Sequence, residues 1–124
     1  MRKQGSTNSI NEKKMIAKCG MGYGLAVIRG RWKMQIFWRL AQRRIRYSEL
    51  KELMPDISEK MLVIQLKELE KEDLIKRIVY PEVPPRVEYE VTENGRSLVP
   101  VLQSLSAWGD IQKERMGMND GVCD

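Results

Sequence analysis

Met54-Pro55-Asp56-Ile57-Ser58-Glu59-Lys60-Met61-Leu62-Val63-Ile64-Gln65-Leu66-Lys67-Glu68-Leu69-Glu70-Lys71-Glu72 is the stretch that decides the fold. Pro55 lacks an amide donor and disfavours helical backbone at Met54, so a helix arriving from Tyr47–Leu53 must stop there. Asp56-Ile57 completes a tight turn. Ser58 can then accept an orphan amide as the N-cap of a new helix. Ile57 before the cap and Leu62 after it form a hydrophobic staple, which fixes the angle at which the chain enters. The spacing of Leu62, Leu66 and Leu69 predicts a helix running to about Glu72 with one buried stripe. Taking Leu62 as zero at about 100° per residue, Lys60, Lys67 and Lys71 fall at roughly 140–180°. The side opposite the core therefore carries three lysines and no acid. Val63 and Ile64 also lie away from the stripe.

Downstream, Ile75–Tyr80 is β-branched and aromatic, and Arg86–Val91 alternates so that Val87, Tyr89 and Val91 share a face. Pro81-Glu82-Val83-Pro84-Pro85 between them reads as a stiff hairpin tip, because proline cannot join a ladder. Thr92 is the expected cap of a last helix with Leu98, Val101, Leu102, Leu105 and Trp108 on its stripe. Upstream, Trp32 to Leu40 is apolar nearly all round at helical spacing, which predicts a central buried helix with Trp32 and Trp38 as core aromatics. Cys19–Gly24 is glycine-rich and does not fit a dinucleotide fingerprint. It is expected to be a flexible lead-in to a short helix, Leu25 to about Arg29. Gln42–Arg46 reads as a basic connection. The fold class is thus mainly α with a small β-hairpin: helix, helix, helix–turn–helix, hairpin, helix. That order is a winged helix–turn–helix, whose second paired helix is the one that enters a major groove.

Composition narrows the chemistry. The chain of 124 residues contains no histidine, which excludes imidazole metal sites and histidine-based catalysis. Two cysteines, Cys19 and Cys123, are too few for a structural zinc site or a disulfide framework. A reducing cytoplasm is the expected compartment. No run approaches a membrane span, and no catalytic constellation stands out, so neither an enzyme nor a cofactor is expected. Charge is asymmetric. Residues 1–46 hold 12 Lys/Arg and one acid, and residues 47–124 hold 10 basic and 16 acidic groups. Such a basic first third points to a polyanionic partner. The expected division is a flexible basic arm over 1–12, a domain over 13–116 and a disordered tail over 117–124.

The candidate DNA-contacting residues are Ser58, Lys60, Met61, Val63, Ile64 and Lys67 on the second helix, Arg46 and Ser48 beside the first, and Arg86 on the hairpin. Apolar side chains there suit thymine methyl groups. For Arg86, minor-groove or phosphate contact competes with an ion pair to Glu82 or Glu88. For the lysines, the alternative is an ordinary solvated face. Val101, Leu105 and Trp108 exceed what one small core needs and are expected to meet a second copy, leaving Leu98 and Leu102 to the monomer. The competing function is a winged-helix protein-interaction module without sequence-specific DNA binding.

Several segments together resemble the HxlR-type winged helix–turn–helix transcriptional regulators, which are MarR-like: Cys19 with Tyr23, Ile28-Arg29-Gly30-Arg31-Trp32, Arg46-Tyr47-Ser48-Glu49-Leu50, Ile57–Leu62, Gln65–Glu70, Val79–Tyr89, Val91-Thr92-Glu93-Asn94-Gly95 and Trp108-Gly109. The resemblance implies a homodimeric bacterial regulator of pseudo-palindromic operators, paired through its N- and C-terminal helices. It also implies that an N-terminal cysteine, here Cys19, is a candidate sensor of oxidants or electrophiles. Lys13, Lys14, Lys18, Arg29 and Arg31 near Cys19 favour a thiolate, while Cys123 beside Asp120 and Asp124 is a candidate resolving thiol. The alternative is that Cys19 simply packs as a small apolar residue. Gly20, Arg29, Val63-Ile64 and Asp73 stand where the family usually has proline, glycine, Thr-Gln and glycine.

Overall fold

A computed structural model of the chain describes residues 19–118. The expected arm over 1–12, residues 13–18 and residues 119–124, with Cys123 among them, lie outside the described residues. The elements are α1 (Gly20–Ile28), α2 (Lys33–Gln42), β1 (Ile45–Arg46), α3 (Tyr47–Leu53), α4 (Glu59–Lys71), β2 (Ile75–Tyr80), β3 (Arg86–Val91), α5 (Glu93–Arg96) and α6 (Val99–Arg115).

Ile36, Phe37 and Leu40 of α2 are fully buried and form the centre of the core. Leu50 of α3 and Leu62, Leu66 and Leu69 of α4 close around them. Trp32 and Trp38 are half-buried against this cluster, as core aromatics rather than a cofactor box. Lys33, in the first turn of α2, is a buried cation whose Nζ reaches Glu68 of α4 at 2.9 Å. A buried ammonium persists only where a partner offsets its lost hydration, so this pair fastens α2 to α4.

The helix–turn–helix forms as its caps predict. Ser58 Oγ accepts the Met61 amide at 3.1 Å, and Ile57 and Leu62 are both buried. At its far end α4 closes through two amides, Asp73 N–H to the Glu70 carbonyl at 2.9 Å and Leu74 N–H to the Leu69 carbonyl at 3.0 Å. This is the Schellman arrangement, with Asp73 left-handed at φ 59.

Four expectations are corrected. Residues 20–24 are helical, not a flexible lead-in: Cys19 is an extended N-cap whose carbonyl accepts the Tyr23 amide at 2.9 Å. Val27 packs on the core and the Tyr23 hydroxyl donates to Glu72 at 3.1 Å, tertiary contacts that override the poor helix propensity of glycine. Gly30, at φ +111, then separates α1 from α2. The basic connection contains strand β1, which pairs antiparallel with β3 at Ile45↔Tyr89 and Arg46↔Glu88. The sheet therefore has three strands in the order β1-β3-β2, not two. Thr92 caps a separate four-residue helix, α5, before α6 begins at Val99. Gly117 and Met118, expected in the tail, close α6 by the same Schellman bonds as α4.

Candidate nucleic-acid interface

The helix α4 presents its buried stripe to α2 and its opposite side to solvent. Lys60, Lys67 and Lys71 are exposed, and none makes an ion pair among the described residues. Ile64 stands between them at 38 % exposure, while Val63 is half-buried. Met61 leans toward the core, where its sulfur meets Gln65 Nε2 at 3.2 Å. Ser58 is exposed, yet its hydroxyl oxygen is engaged in the cap. The acid nearest the start of the helix is neutralised from α3: Glu59 accepts the Tyr47 hydroxyl at 3.2 Å and meets Lys51 at 3.5 Å. Burial and the nearby Glu59 carboxylate push the Tyr47 phenol up from its ordinary value. Arg46 and Ser48 are exposed where β1 passes into α3.

The basic run before β1 is largely consumed inside the chain, which its sequence does not show. Arg43 is paired with Glu49, and its hydrogen bond holds that carboxyl below the usual range. Arg44 donates to Glu90 at 2.9 Å and to the Tyr80 hydroxyl at 2.9 Å, and Tyr80 in turn donates to Glu88 at 3.2 Å. Lys76 meets Glu90 at 3.3 Å.

Arg86 is held in the same way. Its guanidinium lies 4.0 Å over the Tyr80 ring and meets Glu82 at 3.2 Å and Glu88 at 3.5 Å. Of the two roles open to Arg86, the ion pair is the one formed in the free chain. These contacts brace the base of the hairpin tip, and Val79 of β2 and Val83 at the tip are exposed. The outward side of α4 thus carries three unpaired cations, and the wing is nearly charge-balanced.

Cys19 is a free, exposed thiol at the first turn of α1. One turn on, the Tyr23–Glu72 hydrogen bond ties α1 to the end of α4 and raises the Tyr23 phenol above its ordinary value. Among the described residues no group of three potential ligands gathers for a metal. No helix among them is long and apolar enough to cross a membrane.

A helix–turn–helix with a cationic outer face, backed by a three-stranded sheet with a projecting hairpin, defines a winged helix–turn–helix regulator. Residues 27–116 match the HxlR-like helix-turn-helix family, and the chain belongs to it. It is 55% identical over 85 residues to the HTH-type transcriptional regulator YtcD of Bacillus subtilis, covering 68% of each chain. A crystal structure of ytcD superposes with a TM-score of 0.72 at 49% identity, over 77% of this chain and 97% of that one. The redox regulator HypR in its reduced form gives 0.73 at 36% identity, over 78% and 96%. The chain is accordingly a transcriptional regulator of the helix–turn–helix type, not an enzyme.

Proposed function

We propose that this chain acts in the cytoplasm as a homodimer on a pseudo-palindromic DNA operator, with α4 in the major groove. The observation that carries the reading is the set of unpaired lysines on the outward side of α4, beside the exposed Ile64. Lys60, near the helix N-terminus, and Lys67, two turns on, are placed to meet phosphates on either side of a groove. Ile64 and Val63 offer apolar contact to thymine methyl groups. Arg46 and Ser48 lie where the backbone would pass the start of α3, and Ser58 and Met61 fix how α4 enters. Arg86 joins the contact only by exchanging Glu82 and Glu88 for phosphate.

An oxidant response through Cys19 is the finer part of the proposal. Its support is the exposure of the thiol and the likeness to a protein named as a redox regulator. Cys19 is the attacking thiol and Cys123 the resolving one: the oxidant takes two electrons and two protons from the pair, which closes as a disulfide.

Selection of bound duplexes from a random pool, with and without diamide, tests both parts. Wild-type protein enriches a pseudo-palindrome. Lys60→Ala and Lys67→Ala each weaken binding and lower the salt slope by about one, since each phosphate contact releases about one counterion. Unchanged affinity and slope in both variants would turn the reading toward a protein-interaction module. Diamide releases the wild type and not Cys19→Ser. Full sensitivity of Cys19→Ser removes the sensor role and leaves the DNA reading intact.

A further inference from the structure

Glu59 is the first residue of α4 and the only acid in its first two turns. Further along, Glu68 and the capping Glu72 are turned back into the chain, where Glu68 meets Lys33 of α2 and Glu72 accepts the Tyr23 hydroxyl of α1. Glu59 is tied instead to α3, the other helix of the helix–turn–helix. Its Oε2 accepts the Tyr47 hydroxyl at 3.2 Å, and its Oε1 meets Lys51 Nζ at 3.5 Å. The Lys51 ammonium also lies 5.7 Å from the centre of the Tyr47 ring, so the three side chains close a triangle across the paired helices. A carboxylate has about four lone-pair sites, and two partners leave acceptor capacity unused. The Glu59 side chain is still 63% exposed.

We infer, resting on the reading of α4 as the major-groove helix, that Glu59 is a specificity-determining residue whose carboxylate accepts from the amino group of a cytosine. The N-terminal residues of a recognition helix are the ones that reach base edges. Glu59 stands first among them, beside the exposed Lys60. A carboxylate there faces a polyanion, and a hydrogen-bond donor on a base edge is what offsets the repulsion. In the major groove guanine presents two acceptors, thymine an acceptor and a methyl group, adenine a donor beside an acceptor, and cytosine a donor alone. An ionised carboxylate only accepts, so guanine and the N7 of adenine repel it and cytosine N4 remains. Tyr47 and Lys51 are positioning residues. They hold the carboxylate before DNA arrives, which lessens the rotamer freedom lost on contact, and Lys51 offsets its charge against neighbouring phosphates. An acid in the first turn also suits the helix dipole, but that role needs no partner from α3 and carries no base preference.

Selection of bound duplexes from a random pool by the full chain, as wild type, Glu59→Ala and Glu59→Gln, tests this. Wild type enriches a half-site with a cytosine position that Glu59→Ala leaves unspecified. Glu59→Gln moves the preference there toward adenine, whose N6 and N7 an amide meets together. In the wild-type sequence, 2-pyrimidinone in place of that cytosine lacks only the N4 amino group. It weakens wild type about tenfold, roughly 1.4 kcal/mol, and leaves Glu59→Ala unchanged. Tyr47→Phe shows a smaller penalty for the same replacement; the full penalty in that variant would remove the positioning role of the hydroxyl. On random duplex Glu59→Ala binds at least as tightly as wild type, because a charge opposing the phosphates is gone. A Glu59→Ala variant that selects the wild-type sequence at every position overturns the inference and leaves the operator reading standing. Equal loss of affinity on selected and random duplex, with a lowered melting temperature, also overturns it and assigns Glu59 to the helix end alone. A wild type that enriches no sequence removes the operator reading and this assignment with it.

Discussion

Two helices of this chain end alike on different residues. α6 turns left-handed at Gly117, at φ +73, and α4 does so at Asp73, at φ 59. A side chain costs roughly 1–2 kcal/mol in that region, less for Asp and Asn, so α4 needs an offset that α6 does not. The offset is visible: the Asp73 carbonyl accepts the Thr92 hydroxyl at 2.6 Å and the Asn94 amide at 3.2 Å. Thr92 Oγ1 in turn accepts the Gly95 amide at 2.9 Å. Gly95 is the tightest point of this junction. A Cβ there would stand 2.2 Å from the Leu74 carbonyl oxygen and 2.7 Å from Val91 Cγ1. Gly95→Ala is therefore expected to cost about 3 kcal/mol, the upper part of the range for overpacking, read as a drop in the urea midpoint at unchanged slope. A loss below about 0.5 kcal/mol would mean that the junction yields. In the sequence Gly95 was visible only as one member of a Thr-Glu-x-Gly pattern. The reason for it is a carbonyl 21 positions upstream, which no local reading supplies.

At the scale of elements, legibility followed the range of the forces. α3, β2 and β3 have the bounds their residues predict, and α4 is one residue shorter at its C-terminus, because caps, prolines and periodicity act within a few residues. β1 escaped notice because two residues cannot show alternation, and its existence rests on β3, more than 40 positions away. The start of α1 was missed because glycine argues against helix locally, while Tyr23 and Val27 decide it from outside. The strand β1 brings Arg44 to the wing, and this makes the wing pH-sensitive. The Arg44 hydrogen bond, helped by Lys76, holds the Glu90 carboxyl below its ordinary range. A group with a lowered folded-state value contributes stability that is present above its unfolded value and lost as pH falls through the folded one. Glu90→Gln is thus expected to be less stable than wild type at neutral pH. The gap should close as the pH falls from the ordinary carboxylate range into the depressed range of Glu90. Thermal melts across that range measure it, and a gap independent of pH would show that Glu90 acts through packing instead.

For the whole molecule, the charge asymmetry of the sequence is only partly carried to the surface of the described residues. Arg43, Arg44 and Lys33 from the basic first third are spent on internal acids, and the free cations of the candidate interface stand mostly on α4, in the acidic remainder. The apolar surplus was read more directly. On α6 only Leu102 is buried, while Val101, Leu105, Trp108 and Ile111 are 57%, 51%, 63% and 60% exposed. A row of that kind calls for a partner. The chain is expected to scatter light as a dimer at micromolar concentration, and Trp108→Glu to shift it toward monomer; a monomeric wild type would refute this. The junction at Gly95 then acquires a mechanical meaning. The end of α4 is tied through Asp73 and Leu74 to the start of α5, and α5 leads within two residues into α6, so the proposed reading helix and the proposed pairing helix are linked through one hydrogen-bonded junction. In the proposed dimer, two such units joined along α6 would hold their reading helices at a single separation, and only targets whose half-sites repeat at that separation, near one helical turn of about 34–36 Å, would engage both at once.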